Sequence, residues 1–233
     1  MSTWLATLIT LVLSVTWLRM MDFAAHRGWI ESRLSRKIIH IGTGPVFVIC
    51  WLMFPDTPDA RWWAAAVPLL ITAQFALIGL GIIKDEASVR AMSRSGDHRE
   101  ILRGPLYYGL VFVVLTVAFW KDSPVGILAL MLVCGGDGIA DVIGRRVSSP
   151  KLPWSPEKSV AGSLSVMLGG FLLSMIVLWV YVIAGVFPPP ISSYTLPILY
   201  LSLSAMAVES LPFRDVDNLT VAITAVIIGS FLF

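Results

Sequence analysis

Eight apolar stretches, at about residues 3–20, 37–54, 61–83, 104–120, 124–145, 160–186, 195–209 and 217–233, leave this chain few ways to fold. A helix needs about 20 apolar residues to cross the hydrocarbon core, and only elements that satisfy their own backbone hydrogen bonds persist there. The fourth, seventh and eighth stretches are short, so the expected architecture is an all-α, polytopic transmembrane bundle of about seven or eight spans. Composition agrees: 57% of the 233 residues are hydrophobic and 14% charged, against about 45–50% and about 25% in soluble domains. No internal repeat, low-complexity tract or long hydrophilic stretch is visible, and a single integral membrane domain over residues 1–233 is expected.

The first basic residue, Arg19, follows the first apolar stretch, whereas a secretory signal is positive before it. Residues 3–20 are therefore read as a retained span. Cys50 and Cys134 lie in different apolar stretches and suggest packing, with neither a disulfide nor a metal motif. A net charge of +2 without a basic-aromatic stripe gives no reason to expect nucleic acid. With eight spans, the alternate loops 19–37, 84–103, 145–158 and 210–216 hold fifteen of the seventeen Lys and Arg residues. The positive-inside rule makes those loops cytoplasmic and both termini external. The polar machinery then faces the nucleoside triphosphates of the cytosol.

The strongest chemical signal is the string Cys134-Gly-Gly-Asp137-Gly-Ile-Ala-Asp141-Val-Ile-Gly144-Arg145-Arg146 at the end of the fifth span. In a helix, Asp137, Asp141 and Arg145 share one face. Asp137 falls roughly 10 Å inside the interface, where a carboxylate costs about 2–3 kcal/mol or more unless it is paired, hydrated or metal-bound. Two stacked carboxylates suit Mg²⁺, whose oxygen shell nucleotide phosphates complete. The alternative is a surface bridge from Asp141 to Arg145 with Asp137 hydrated.

Next comes Lys151-Leu-Pro-Trp154-Ser155-Pro156-Glu157-Lys158-Ser159-Val-Ala-Gly162-Ser163. Ser155 followed by Pro156 predicts an N-cap and first helical position. Lys158 then takes the third position, where a cation makes sense if an anion docks on the free N–H groups. A triphosphate site follows, with Lys158, Lys151 and Arg145 as counter-charges. The alternative is a basic flank that starts an ordinary span. No Walker A string is present, so this is not a P-loop.

Two further strings are less specific. In Arg36-Lys37-Ile-Ile-His40-Ile-Gly42-Thr-Gly44, Arg36 and His40 share a helical face, and His40 reads as a phosphate contact, an acid–base group or a packed histidine. In Glu209-Ser-Leu-Pro212-Phe-Arg214-Asp215-Val-Asp217-Asn218-Leu219, Asp217 either caps the last helix or joins Glu209 and Asn218 in an additional polar site. The Lys84–Arg103 loop mixes five basic with four acidic residues and reads as a solvated hairpin beside lipid headgroups.

Taken in order, these strings resemble the membrane family of phytol kinases, dolichol kinases and CTP-dependent diacylglycerol kinases. The matching residues are Arg36-Lys37, His40 and Gly44; Gly136-Asp137-Gly, Ala140-Asp141 and Gly144-Arg145; Lys151, Pro153-Trp154, Lys158-Ser159 and Gly162-Ser163; and Glu209-Ser, Pro212 and Asp217-Asn218-Leu219. The middle portion is also similar to the phosphatidate cytidylyltransferases. The chain lacks their His-Gly-Gly…Asp-Arg ending, and it lacks the extra N-terminal spans of the long dolichol kinases. Both departures favour a compact, phytol-kinase-like enzyme.

The resemblance implies a site built mainly from 134–163, with 36–44 and 209–219. In it Asp137 and Asp141 hold metal, and one of them or His40 takes the hydroxyl proton. Nucleotide contacts are implied at Arg145, Lys151, Ser155, Lys158, Ser159, Gly162 and Ser163, and at Arg36 and Lys37. The expected reaction transfers the γ-phosphate of CTP or ATP, with Mg²⁺, to an isoprenoid alcohol that enters from the bilayer at the cytoplasmic face. The competing readings are a cytidylyltransferase that makes a CDP-lipid and, from another class, a small-solute transporter. Oligomeric state has no signature here.

Overall fold

A computed structural model describes the chain except Arg94, Arg214 and Asp215, and describes the backbone alone for Asp22, His26, Ser32, Arg33, Ala91, Asp137, Asp141 and Arg145. Among the described residues, seven helical segments are long and apolar enough to cross a membrane. An eighth apolar helix, Asp217–Leu232, is shorter. The expected helical bundle is therefore present. The chain divides into two compact units, Met1–Val117 and Ala118–Phe233.

In the first unit, α1 (Thr3–His26) packs on α2 (Ser32–Cys50) and on α3 (Ala60–Gly79). The indole of Trp17 in α1 lies against Gly42 in α2, where any side chain would collide with the ring. Helical hydroxyls bond back one turn, as Thr10 does to the Ala6 carbonyl (2.7 Å), Thr43 to Ile39 (2.6 Å) and Thr72 to Pro68 (2.6 Å). This satisfies a polar donor within its own helix, as an apolar solvent requires.

The stretch from Lys84 to Arg103 is not the solvated hairpin expected of its charge. It forms α4 (Glu86–Met92) and a 3-10 turn, His98–Leu102, before α5 (Gly104–Phe119). Ile101 is fully buried, and His98 Nδ1 is 2.8 Å from the Gly79 carbonyl at the end of α3. Local capping accounts for the helix: Asp85 accepts from the Ser88 N–H (3.0 Å) and hydroxyl (2.8 Å). Those bonds, the backbone one foremost, hold the Asp85 carboxyl below its ordinary range.

The second unit is built around α6 (Pro124–Arg146). Ser123 caps it by accepting from the Val125 N–H (3.2 Å), and Pro124 fills the first position, where no donor is needed. Ile127 through Cys134 are at most 2% exposed, which makes α6 the central helix, packed by α7 (Val160–Ile183), α8 (Thr195–Glu209) and α9 (Asp217–Leu232). Helix α7 is inside-out relative to a soluble helix. Leu164, Leu168, Leu172, Ile176 and Ile183 form an exposed apolar stripe suited to lipid, while Ser163, Gly170, Ser174 and Tyr181 are buried.

The contact between α6 and α7 runs over glycine. A Cβ on Gly135 would lie 2.7 Å from the Gly169 carbonyl oxygen, and one on Gly169 would lie 2.6 Å from that of Gly135. Gly144 and Gly162 repeat the approach nearer the polar end. Small residues let the backbones close to van der Waals contact, the packing available where lipid supplies no hydrophobic drive between helices.

Candidate active site

Positions 137, 141 and 145 fall on successive turns of the unbroken helix α6, as expected; the side chains of Asp137, Asp141 and Arg145 lie outside the described residues. After α6 the chain forms a short antiparallel hairpin, β1 (Lys151–Leu152) and β2 (Ser155–Ser159). This corrects the expectation of a helix starting at Ser155. Pro156 sits in a two-stranded ribbon, where a missing N–H is tolerated at an edge, and α7 begins four residues later than the Ser-Pro signal implied.

Ser159 is the cap, its Oγ accepting from the Gly162 N–H (3.2 Å). The Val160 N–H donates to the Pro150 carbonyl (3.0 Å) and the Ala161 N–H to Ser149 Oγ (3.0 Å). The first three donors of α7 thus bond protein atoms, so the expected docking of an anion on free helix N–H groups is also corrected. Ser149 and Pro150 carry no sequence signal for this role, since the bonds cross a hairpin.

Lys158 reaches away from the helix. Its ammonium donates to the backbone carbonyl of Glu209, lies 3.0 Å from Glu209 Oε1 and 3.7 Å from Asp217 Oδ1. The Lys158, Glu209 and Asp217 side chains are 19%, 10% and 27% exposed. Alongside, the Trp154 indole N–H donates to the Ser210 carbonyl (3.2 Å), so the hairpin is strapped at two points to the end of α8. Nothing local in the sequence marks Trp154 and Ser210 as anchors, since their bond joins segments 56 residues apart. Asp217 opens the first turn of α9 behind Val216, the capping residue, and Asn218 follows it half-buried.

The other candidates are placed as follows. Lys151 Nζ donates to the Glu157 carbonyl (3.3 Å) across the exposed hairpin, and Ser155 is buried. Ser163 is buried and its Oγ has no hydrogen-bond partner among the described residues. In the first unit, Arg36 donates to the Ser93 carbonyl (3.2 Å), and half-buried His40 packs its ring on Tyr108 at 4.4 Å. The Tyr108 hydroxyl donates to the His40 carbonyl (2.8 Å), and Lys37 is half-buried on the same helix. Cys50 and Cys134 are buried thiols, in keeping with packing roles.

The end of α6, the hairpin, the start of α7, the end of α8 and the start of α9 therefore meet, and Lys158, Glu209 and Asp217 gather there. Membrane-length helices and this partly buried ionic cluster define a polytopic membrane protein with a polar site at one end of a helical bundle. The chain is 40% identical over 218 residues to a probable phytol kinase 1, chloroplastic, of Glycine max, covering 92% of this chain and 72% of that one. It is 39% identical over 209 residues to a chloroplastic farnesol kinase of Arabidopsis thaliana, covering 89% and 68%. Phytol kinase 1, chloroplastic, of the same plant is 38% identical over 208 residues, covering 88% and 68%. No protein-family profile matches the chain, and no solved structure does. The chain belongs to the phytol and polyprenol kinase family.

Proposed function

We propose that this protein is an isoprenoid-alcohol kinase, which transfers the γ-phosphoryl group of a nucleoside triphosphate, CTP in first place, to the hydroxyl of an alcohol of the phytol and farnesol class. The observation that carries this reading is the identity of 38–40% to phytol and farnesol kinases over most of the chain. Phosphoryl transfer asks a protein mainly for positioning and charge neutralisation. Lys158, held on a strapped hairpin, is suited to meet phosphate oxygens, and Ser163 offers a buried hydroxyl to the same ligand.

Among the described residues no group of three His, Cys, Asp or Glu side chains is placed to hold a metal. Two aspartate positions one turn apart on α6 and the phosphates of a nucleotide nevertheless make the all-oxygen donor set that Mg²⁺ takes. Asp137 and Asp141 are the residues that would hold it, and it would neutralise phosphate charge. The loops 145–158 and 210–216 meet through Trp154 and Ser210, which supports a common side for these basic segments and, by the positive-inside rule, a cytoplasmic site.

The test is purified protein in liposomes with phytol, farnesol, dolichol or diacylglycerol and with CTP or ATP labelled at either the α or the γ position. Label from the γ position in an isoprenoid phosphate is the expected result. Label from the α position would instead establish a cytidylyltransferase, and nucleotide-independent solute flux without a lipid product would establish a transporter. Asp137→Asn should cut turnover on the order of 100-fold or more while membrane insertion is retained, because removing a charge eases insertion. The acid–base candidate of the first unit, His40, is tested by whether His40→Gln removes a limb of the pH–rate profile.

A further inference from the structure

The two carboxylates around Lys158 are unequal, and we infer that they act in opposite directions on nucleotide binding: Glu209 positions the ammonium, and Asp217 stands where an incoming phosphate oxygen binds. This rests on the reading of Lys158 as a phosphate contact.

Glu209 holds Lys158 twice, through Oε1 at 3.0 Å and through its own backbone carbonyl, and its side chain is only 10% exposed. Drawing Lys158 off Glu209 would strand a buried carboxylate, the most costly way to break an ion pair. Asp217 is at the far limit of ion pairing, 3.7 Å away, and is more than twice as exposed, at 27% against 10%. Water screens such a pair, and its strength is small. Asp217 also has a second electrostatic hold, since it lies in the first turn of α9, where the helix dipole favours a carboxylate. It can therefore release Lys158 without being left uncompensated, and Glu209 cannot.

A phosphate oxygen that replaces Asp217 beside Lys158 keeps the Glu209 pair intact and restores a charge-assisted bond at the vacated side. Glu209 is then a positioning residue acting through Lys158, and Asp217 is a competitor whose presence weakens retention of nucleotide and of product alike.

The experiment uses the full chain in nanodiscs and measures equilibrium binding of inorganic tripolyphosphate and of CTP, together with KM and kcat for CTP. Asp217→Asn, which keeps shape and removes charge, should tighten binding of both probes about threefold to tenfold. Glu209→Gln should weaken binding by at least about tenfold, and that loss should vanish in a Lys158→Met background, because the residue acts through the lysine. Should Glu209→Gln fail to fold, Glu209→Asp keeps the charge and should give an intermediate loss, while Asp217→Asn remains decisive by itself. Weaker or unchanged binding in Asp217→Asn, or an additive double-mutant cycle, overturns the inference, as does wild-type protein that binds neither probe. Wild-type protein that binds tripolyphosphate with these signs but phosphorylates no alcohol would instead refute the kinase reading and leave the inference standing.

Discussion

The two units each carry a charged segment outside their spans, and both contain a basic side chain about 3 Å from a carboxylate. In the first, Arg90 meets Glu86 at 3.2 Å, one helical turn away, with the side chains 77% and 88% exposed. In the second, Lys158 meets Glu209 at 3.0 Å across 51 residues of chain, with side chains 19% and 10% exposed. Distance is nearly the same and hydration is not. An exposed i,i+4 pair contributes a few tenths of a kcal/mol, whereas a dehydrated pair costs several to break from one side. The comparison shows which ionic contact is a surface feature and which was assembled by the fold.

The largest expected effect is at the buried pair. Lys158→Met strands Glu209 and should lower unfolding free energy by about 3–5 kcal/mol, read from denaturation in detergent micelles. A change below about 1 kcal/mol would erase the distinction between the segments. Overpacking the glycine contact comes next: Gly169→Val sets a side chain against the Gly135 carbonyl and should cost about 1–3 kcal/mol. Gly104→Ala, with open space around its Cβ, is its control in the first unit.

Asp85→Ala removes the cap of α4 and should cost about 1 kcal/mol. Its pH dependence has a fixed sign. Because the folded carboxyl sits below its ordinary value, its contribution is present above the unfolded value and disappears as pH falls through the lowered one. Acid should therefore narrow the gap between Asp85→Ala and wild type, as thermal unfolding across an acidic series would reveal. Arg90→Ala should stay within about 0.5 kcal/mol of wild type, and a larger loss would mean that the exposed pair is more than a surface bridge.

The spans were legible because a 20-residue apolar run has one solution in lipid. The charged loop 84–103 reads as solvated because its charge balance resembles a turn, and only Asp85 with Ser88 marks the helix start locally. At the hairpin, a local signature lost to a tertiary one. Ser155-Pro156 has the chemistry of a helix start, but the bonds that fix the start at Ser159 come from Ser149 and Pro150. The sequence marks Lys158 as an unusual cation, and Glu209, Asp217 and Asn218 as an additional polar site or Asp217 as a helix cap. That they meet is a contact between distant segments, which no periodicity encodes.

The glycine contact between α6 and α7 sets a length standard at the candidate site. Where side chains separate two helices, their spacing varies as rotamers exchange and as the core expands on warming. Between Gly135 and Gly169 the closest approach is to backbone carbonyl oxygens, which have no rotamers, and Gly144 and Gly162 come into backbone contact further along. The turns of α6 that bear the aspartates and the hairpin that leads into α7 are thus gauged against each other largely by backbone contact, which leaves rotamer exchange little room to alter their spacing.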